Sequence, residues 1–75
     1  MRQPDRPRRQ IAPTALRKQA LEAIEAFAAT EEEVARTHED LATRNPKRRH
    51  EFRRTAEQAR TTADKAREML RILTD

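Results

Sequence analysis

Asn45-Pro46 is the strongest interruption in a chain that otherwise repeats. Asparagine is a favoured N-cap, and proline is favoured at the first helical position, so the dipeptide reads as the start of a second helix. On both sides of it, small and apolar residues recur at alternating spacings of three and four, the period of helices that pack along a seam. On the N-terminal side, Ile24, Glu31 and His38 take the a positions of a heptad. Ala20, Phe27, Val34 and Leu41 take d, and Leu21, Ala28, Ala35 and Ala42 at e widen the stripe. On the C-terminal side, Phe52, Ala56, Ala59, Ala63, Ala66, Leu70 and Leu73 keep the same rhythm without a miss.

The pattern predicts a first helix over about 14–44, with Thr14 as its cap, and a second over about 46–74. So short a connection makes the helices antiparallel neighbours. The expected fold class is all-α: an antiparallel two-helix hairpin, coiled-coil-like, with an alanine-rich seam. Thr30-Glu31-Glu32-Glu33 resembles a capping box and marks a candidate break. The heptad phase survives across it, so one continuous helix is expected.

Composition sets the limits. Of 26 apolar residues, 13 are alanine, which leaves few large side chains for a core. A chain of 75 residues with so little to bury is expected to gain stability from an oligomer or a partner. Self-association into a four-helix bundle is the expected form. Cysteine and glycine are absent, which excludes disulfides, thiol catalysis, zinc–cysteine sites and glycine-rich phosphate loops. There is no serine, and the threonines have no base beside them. His38 and His50 are the only histidines, and a metal site needs more convergent ligands than these offer. No catalytic residue, metal, cofactor or small-molecule substrate is expected. An enzyme whose site forms only between subunits is a remote third reading. No stretch approaches a membrane span and no signal-peptide core is evident, so a cytoplasmic location is expected.

Charge is distributed unevenly. Residues 1–13 hold three of the four prolines and net charge +3, and are expected to form a disordered basic arm. Residues 14–44 carry −3 and residues 45–75 carry +4, so the two helices attract. Folding at Asn45 pairs Phe27 with Ala63, Ile24 with Ala66 and Ala20 with Leu70. It also pairs the arginine row Arg53, Arg60, Arg67 with Glu39, Glu32, Glu25. Exposed ion pairs of this kind set register more than they stabilise. Glu31, a carboxylate at a, is expected to reach out to Arg60 or Lys65.

Two features are left over. At the open end Leu16, Leu21, Met69, Leu70, Ile72 and Leu73 gather, with Ile11 just before, and a two-helix seam cannot cover them all. They are the expected protein interface, for a second copy or a partner protein. At the hairpin tip, Arg44, Lys47, Arg48, Arg49 and Arg54 cluster, and Lys47, Arg48 and Arg49 fall in the first turn of the second helix, where the macrodipole disfavours cations. With Arg6, Arg8 and Arg9 of the arm, they form the candidate surface for nucleic-acid phosphates. The leading expectation is a small non-enzymatic interaction protein, a regulator or adaptor acting through helix faces. The alternative is a small nucleic-acid-binding protein without strong sequence specificity.

Overall fold

A computed structural model describes residues 13–75. Helix α1 runs from Pro13 to Arg44, a 3-10 turn occupies Pro46–Arg48, and helix α2 runs from Arg49 to Thr74. The two helices pack against each other, and the described residues contain no strand. The arm expected at 1–13, including Arg6, Arg8, Arg9 and Ile11, lies outside the described residues except for Pro13. Proline fits the first helical turn because its fixed φ suits it and its missing N–H has no partner there. Thr14 therefore lies inside the helix and does not cap it.

α1 is continuous through Thr30. The Thr30 hydroxyl donates to the Ala26 carbonyl at 3.0 Å, one turn back, and so spends its hydrogen bond inside the helix. Thr43 and Thr74 do the same to Glu39 and Leu70. Asn45 differs from expectation. Its side chain caps nothing in α2; its Nδ2 and its backbone N–H both donate to the Leu41 carbonyl at 2.9 Å. Asn45 thus closes the C-terminus of α1, where carbonyls lack partners. The chain then turns through the 3-10 segment, where the Arg48 N–H donates to the Asn45 carbonyl at 3.0 Å. The α-helical part of the second helix begins at Arg49 for this reason.

The core is made of alanine. Ala28, Ala35 and Ala42 of α1 meet Ala56, Ala59, Ala63 and Ala66 of α2, and these seven are the buried hydrophobic residues. Methyl groups let the two backbones approach closely. Among the described residues, no large side chain is fully buried. This corrects the seam of α1. The expected d residues Phe27 and Ala20 are exposed, Phe27 by 48%. Ile24, Val34, His38 and Leu41 are half-buried. The buried row is the former e row, about one residue further round the helix. Its three alanines are uninterrupted, whereas the a row carries Glu31 and His38, which resist burial.

The ion pairs are shifted as well. Arg60 pairs with Glu39, and Arg67 with Glu32, one heptad beyond the expected partners. Side chains on a helix lean toward its N-terminus. In an antiparallel hairpin, an arginine on α2 leans toward the tip, and a glutamate on α1 leans away from it. Residues at the same level therefore diverge, and residues a heptad apart meet. Glu31 reaches neither Arg60 nor Lys65.

Candidate interaction surfaces

The alanine seam divides the hairpin into two unlike faces. One is ionic. The Arg67 guanidinium donates through Nε and Nη2 to both oxygens of Glu32, each at 2.9 Å. This hydrogen bonding holds the Glu32 carboxyl below its ordinary pKa; partial desolvation opposes the shift, and the charges of Arg67 and Arg36 add to it. Arg67 is correspondingly raised, first by the same hydrogen bond. Arg60–Glu39 forms the neighbouring rung. With two rungs spanning α1 and α2, this face is occupied by its own charges.

The other face is apolar and open. Ala23, Ile24 and Phe27 of α1 and Thr62, Lys65, Ala66 and Met69 of α2 line a groove of about 390 Å³. Val34 packs against the alanine core from the same flank of α1. The heptad stripe of α1 therefore exists, but it faces outward along this groove, beside the seam. Both flanks carry bulk: α1 supplies Ile24 and Phe27 beside Ala23, and α2 supplies Lys65 and Met69 beside Thr62 and Ala66. Lys65 on the α2 flank and half-buried Glu31 on the α1 flank make no ion pair among the described residues.

The expected interface residues differ in exposure. Leu16 and Met69 are each 50% exposed, and Met69 lines the groove. Leu21 and Leu70 are half-buried. Leu73 lies at the open end, where its carbonyl accepts a hydrogen bond from the Arg17 guanidinium. Ile72 is 63% exposed; nine residues from Ala63 it points away from the seam, and seven from Lys65 and three from Met69 it lies on the groove flank of α2. The sequence reading missed Phe27 and Ile24 as surface residues, because it assigned them to the seam. The signal that separates the two rows is the polar pair Glu31 and His38.

At the tip, Arg48 donates to Glu51 at 2.9 Å and its guanidinium lies 4.6 Å from the centre of the Phe52 ring. His38 meets the same ring at 6.0 Å, and its Nδ1 lies 2.9 Å from the Val34 carbonyl. Arg44 approaches Asp40 at 3.7 Å. Lys47, Arg49, Arg53 and Arg54 are exposed and have no ion-pair partner among the described residues. The described residues hold no cluster of three or more His, Cys, Asp or Glu suited to a metal ion. None of their helices is long and apolar enough to cross a membrane. Compared with protein-family models, with curated proteins and with solved structures, the chain matches none.

Proposed function

We propose that the chain is a small non-enzymatic interaction protein that works by burying the apolar face of its hairpin against a second copy, forming a four-helix bundle. The observation that carries this reading is the outward stripe of α1, with Phe27 48% exposed beside Met69 at 50%. A buried methylene contributes roughly 0.8 kcal/mol, and a buried Leu, Phe or Met side chain roughly 1.5–3. A hairpin whose buried residues are all alanine leaves most of its hydrophobic free energy unused. Covering the open face recovers it.

A second copy fits the face in size. The 26 residues of α2 extend about 39 Å at 1.5 Å per residue. With axes 8–10 Å apart, two helices present a width of about 18 Å, hence a face of about 700 Å². A standard interface takes about 800 Å² from each partner. Both edges of the face carry exposed apolar side chains, Phe27 on α1 and Met69 on α2, and a two-fold axis along the helices would set the α1 edge of each copy against the α2 edge of the other.

Light-scattering mass on a sizing column tests the reading. The full chain is expected to run as a dimer, and Phe27→Glu with Met69→Glu as a monomer that keeps its helical circular dichroism. A wild-type chain that stays monomeric at about millimolar concentration, where even an affinity worth only about 4 kcal/mol shows, would sink it.

A further inference from the structure

The ionic face has one rung missing. Arg53, Arg60 and Arg67 stand seven residues apart on α2, and the last two are paired with Glu39 and Glu32, also seven apart on α1. Continuing that spacing, the partner of Arg53 falls at position 46, which is Pro46. The row thus ends at the tip on an arginine whose acidic place is vacant in the sequence. Glu57, one turn further along α2, lines the same polar cleft but makes no ion pair with Arg53. Arg49 lies one turn before Arg53 on the same side of α2, and Lys47 and Arg54 are near them in sequence at the tip. Within eight positions these four exposed cations lack a carboxylate partner among the described residues, while Arg44 and Arg48 beside them have one.

We infer that the tip binds the phosphate backbone of duplex nucleic acid, with a backbone phosphate taking the missing rung at Arg53 and Arg49, and Lys47 and Arg54 contacting neighbouring phosphates. Exposed cations hold a single small anion weakly, because salt screens them within about 8 Å at physiological strength. A polyanion gains from every contact by releasing counterions, so four adjacent cations suit a polymer of phosphates. The tip offers no base-stacking platform, since its one aromatic, Phe52, is half-buried between His38 and Arg48. Contact is therefore to backbone, without sequence preference. A lipid surface fits less well: between 44 and 54 the only apolar residues are Pro46 and the engaged Phe52, so nothing is available for insertion. This inference does not depend on how the apolar face is used.

The test is fluorescence anisotropy of a short labelled DNA duplex with the full chain, across about 50–200 mM salt. Arg49→Gln with Arg53→Gln is expected to weaken binding at least about tenfold and to reduce the log–log salt slope by about two, near 0.9 per phosphate lost. Arg49→Lys with Arg53→Lys keeps the charge and is expected to retain binding. Arg36→Gln with Arg71→Gln changes net charge equally, away from the tip, and is expected to stay within about twofold. The inference is overturned if the wild type leaves the duplex unbound at the lowest salt. It is overturned equally if the distant pair costs as much as the tip pair, which would mean net charge alone, or if the tip pair costs nothing. Binding to phosphatidylserine vesicles with none to the duplex would also overturn it, in favour of a lipid surface. Thermal melts of each variant confirm that the exposed substitutions leave the fold intact.

Discussion

Glu32 and Arg67 tie the two helices together with a two-toothed contact, which makes the pair different in kind from Arg36–Glu33 or Arg71–Glu68. Those pairs span one turn of a single helix and form whether or not the hairpin is closed. The Glu32–Arg67 contact exists only in the closed hairpin, so the depression of the Glu32 pKa is a property of the folded state. A carboxyl depressed on folding adds stability that is fully present above its unfolded value and is lost as pH falls through its folded value. The loss therefore falls below the ordinary glutamate pKa of 4.5. Arg67, raised on folding, loses its contribution only at extreme alkaline pH. Glu32→Gln is expected to melt below the wild type at neutral pH and to approach it as pH falls below the ordinary glutamate value of 4.5. Melting curves at stepped pH check this; two parallel lines would mean that the pair contributes nothing to closure.

The packing of the elements makes an opposite pair of demands. In the seam, Ala35 is 1% exposed and packs with Ala56 and Ala59. A larger residue there must push the helices apart, so Ala35→Leu is expected to cost about 1–3 kcal/mol. Had Phe27 been a seam residue, Phe27→Ala would cost about 3–5 kcal/mol. Half-exposed, it costs far less in a single hairpin, and its cost is expected to grow with protein concentration if the proposed association buries it. Denaturation at two concentrations separates these cases. A Phe27→Ala penalty that is large and independent of concentration would restore the heptad reading. That reading was right about much of the architecture: the helical repeat, the break near Asn45, the unbroken α1 and the alanine row of α2 are all legible as periods and punctuation. It failed on rotation, because it ranked positions by side-chain size, whereas a close seam selects the smallest side chain. It placed the ladder a heptad early because residue numbers locate Cα atoms, and the charges sit where the side chains lean. Asn45 was misread since its side chain can donate backward as well as accept forward. At the tip the cations could be counted from sequence, but which of them are neutralised depends on geometry, as Arg48 against Phe52 and Glu51 illustrates.

At the scale of the whole molecule, the proposed dimer turns on how two apolar faces would meet. A two-fold axis parallel to the helices lays α1 of one copy over α2 of the other, with both tips at the same end. An axis across the helices lays α1 on α1 and sets the tips apart. Only the first arrangement would put Ile24 and Phe27 of one copy against Thr62, Ala66 and Met69 of the other. It also brings Glu31 toward Lys65 of the second copy, because the two side chains lean toward each other as the intramolecular rungs do. The opposing consideration is the tips: each brings six basic residues between 44 and 54, so their juxtaposition is repulsive at low salt. Screening or a shared polyanion relieves that repulsion. The first arrangement therefore predicts a charge exchange. Glu31→Lys alone and Lys65→Glu alone each set like charges against each other twice and are expected to weaken self-association. Mixed, the two variants regain both pairs and are expected to form heterodimers in preference to either homodimer, with association strengthening as salt rises to about 0.15 M. Mass measurement on separately tagged chains reads the outcome. If mixing yields no preference for the heterodimer while the wild type dimerises, the helices meet α1 on α1, and the two basic tips lie at opposite ends of the bundle.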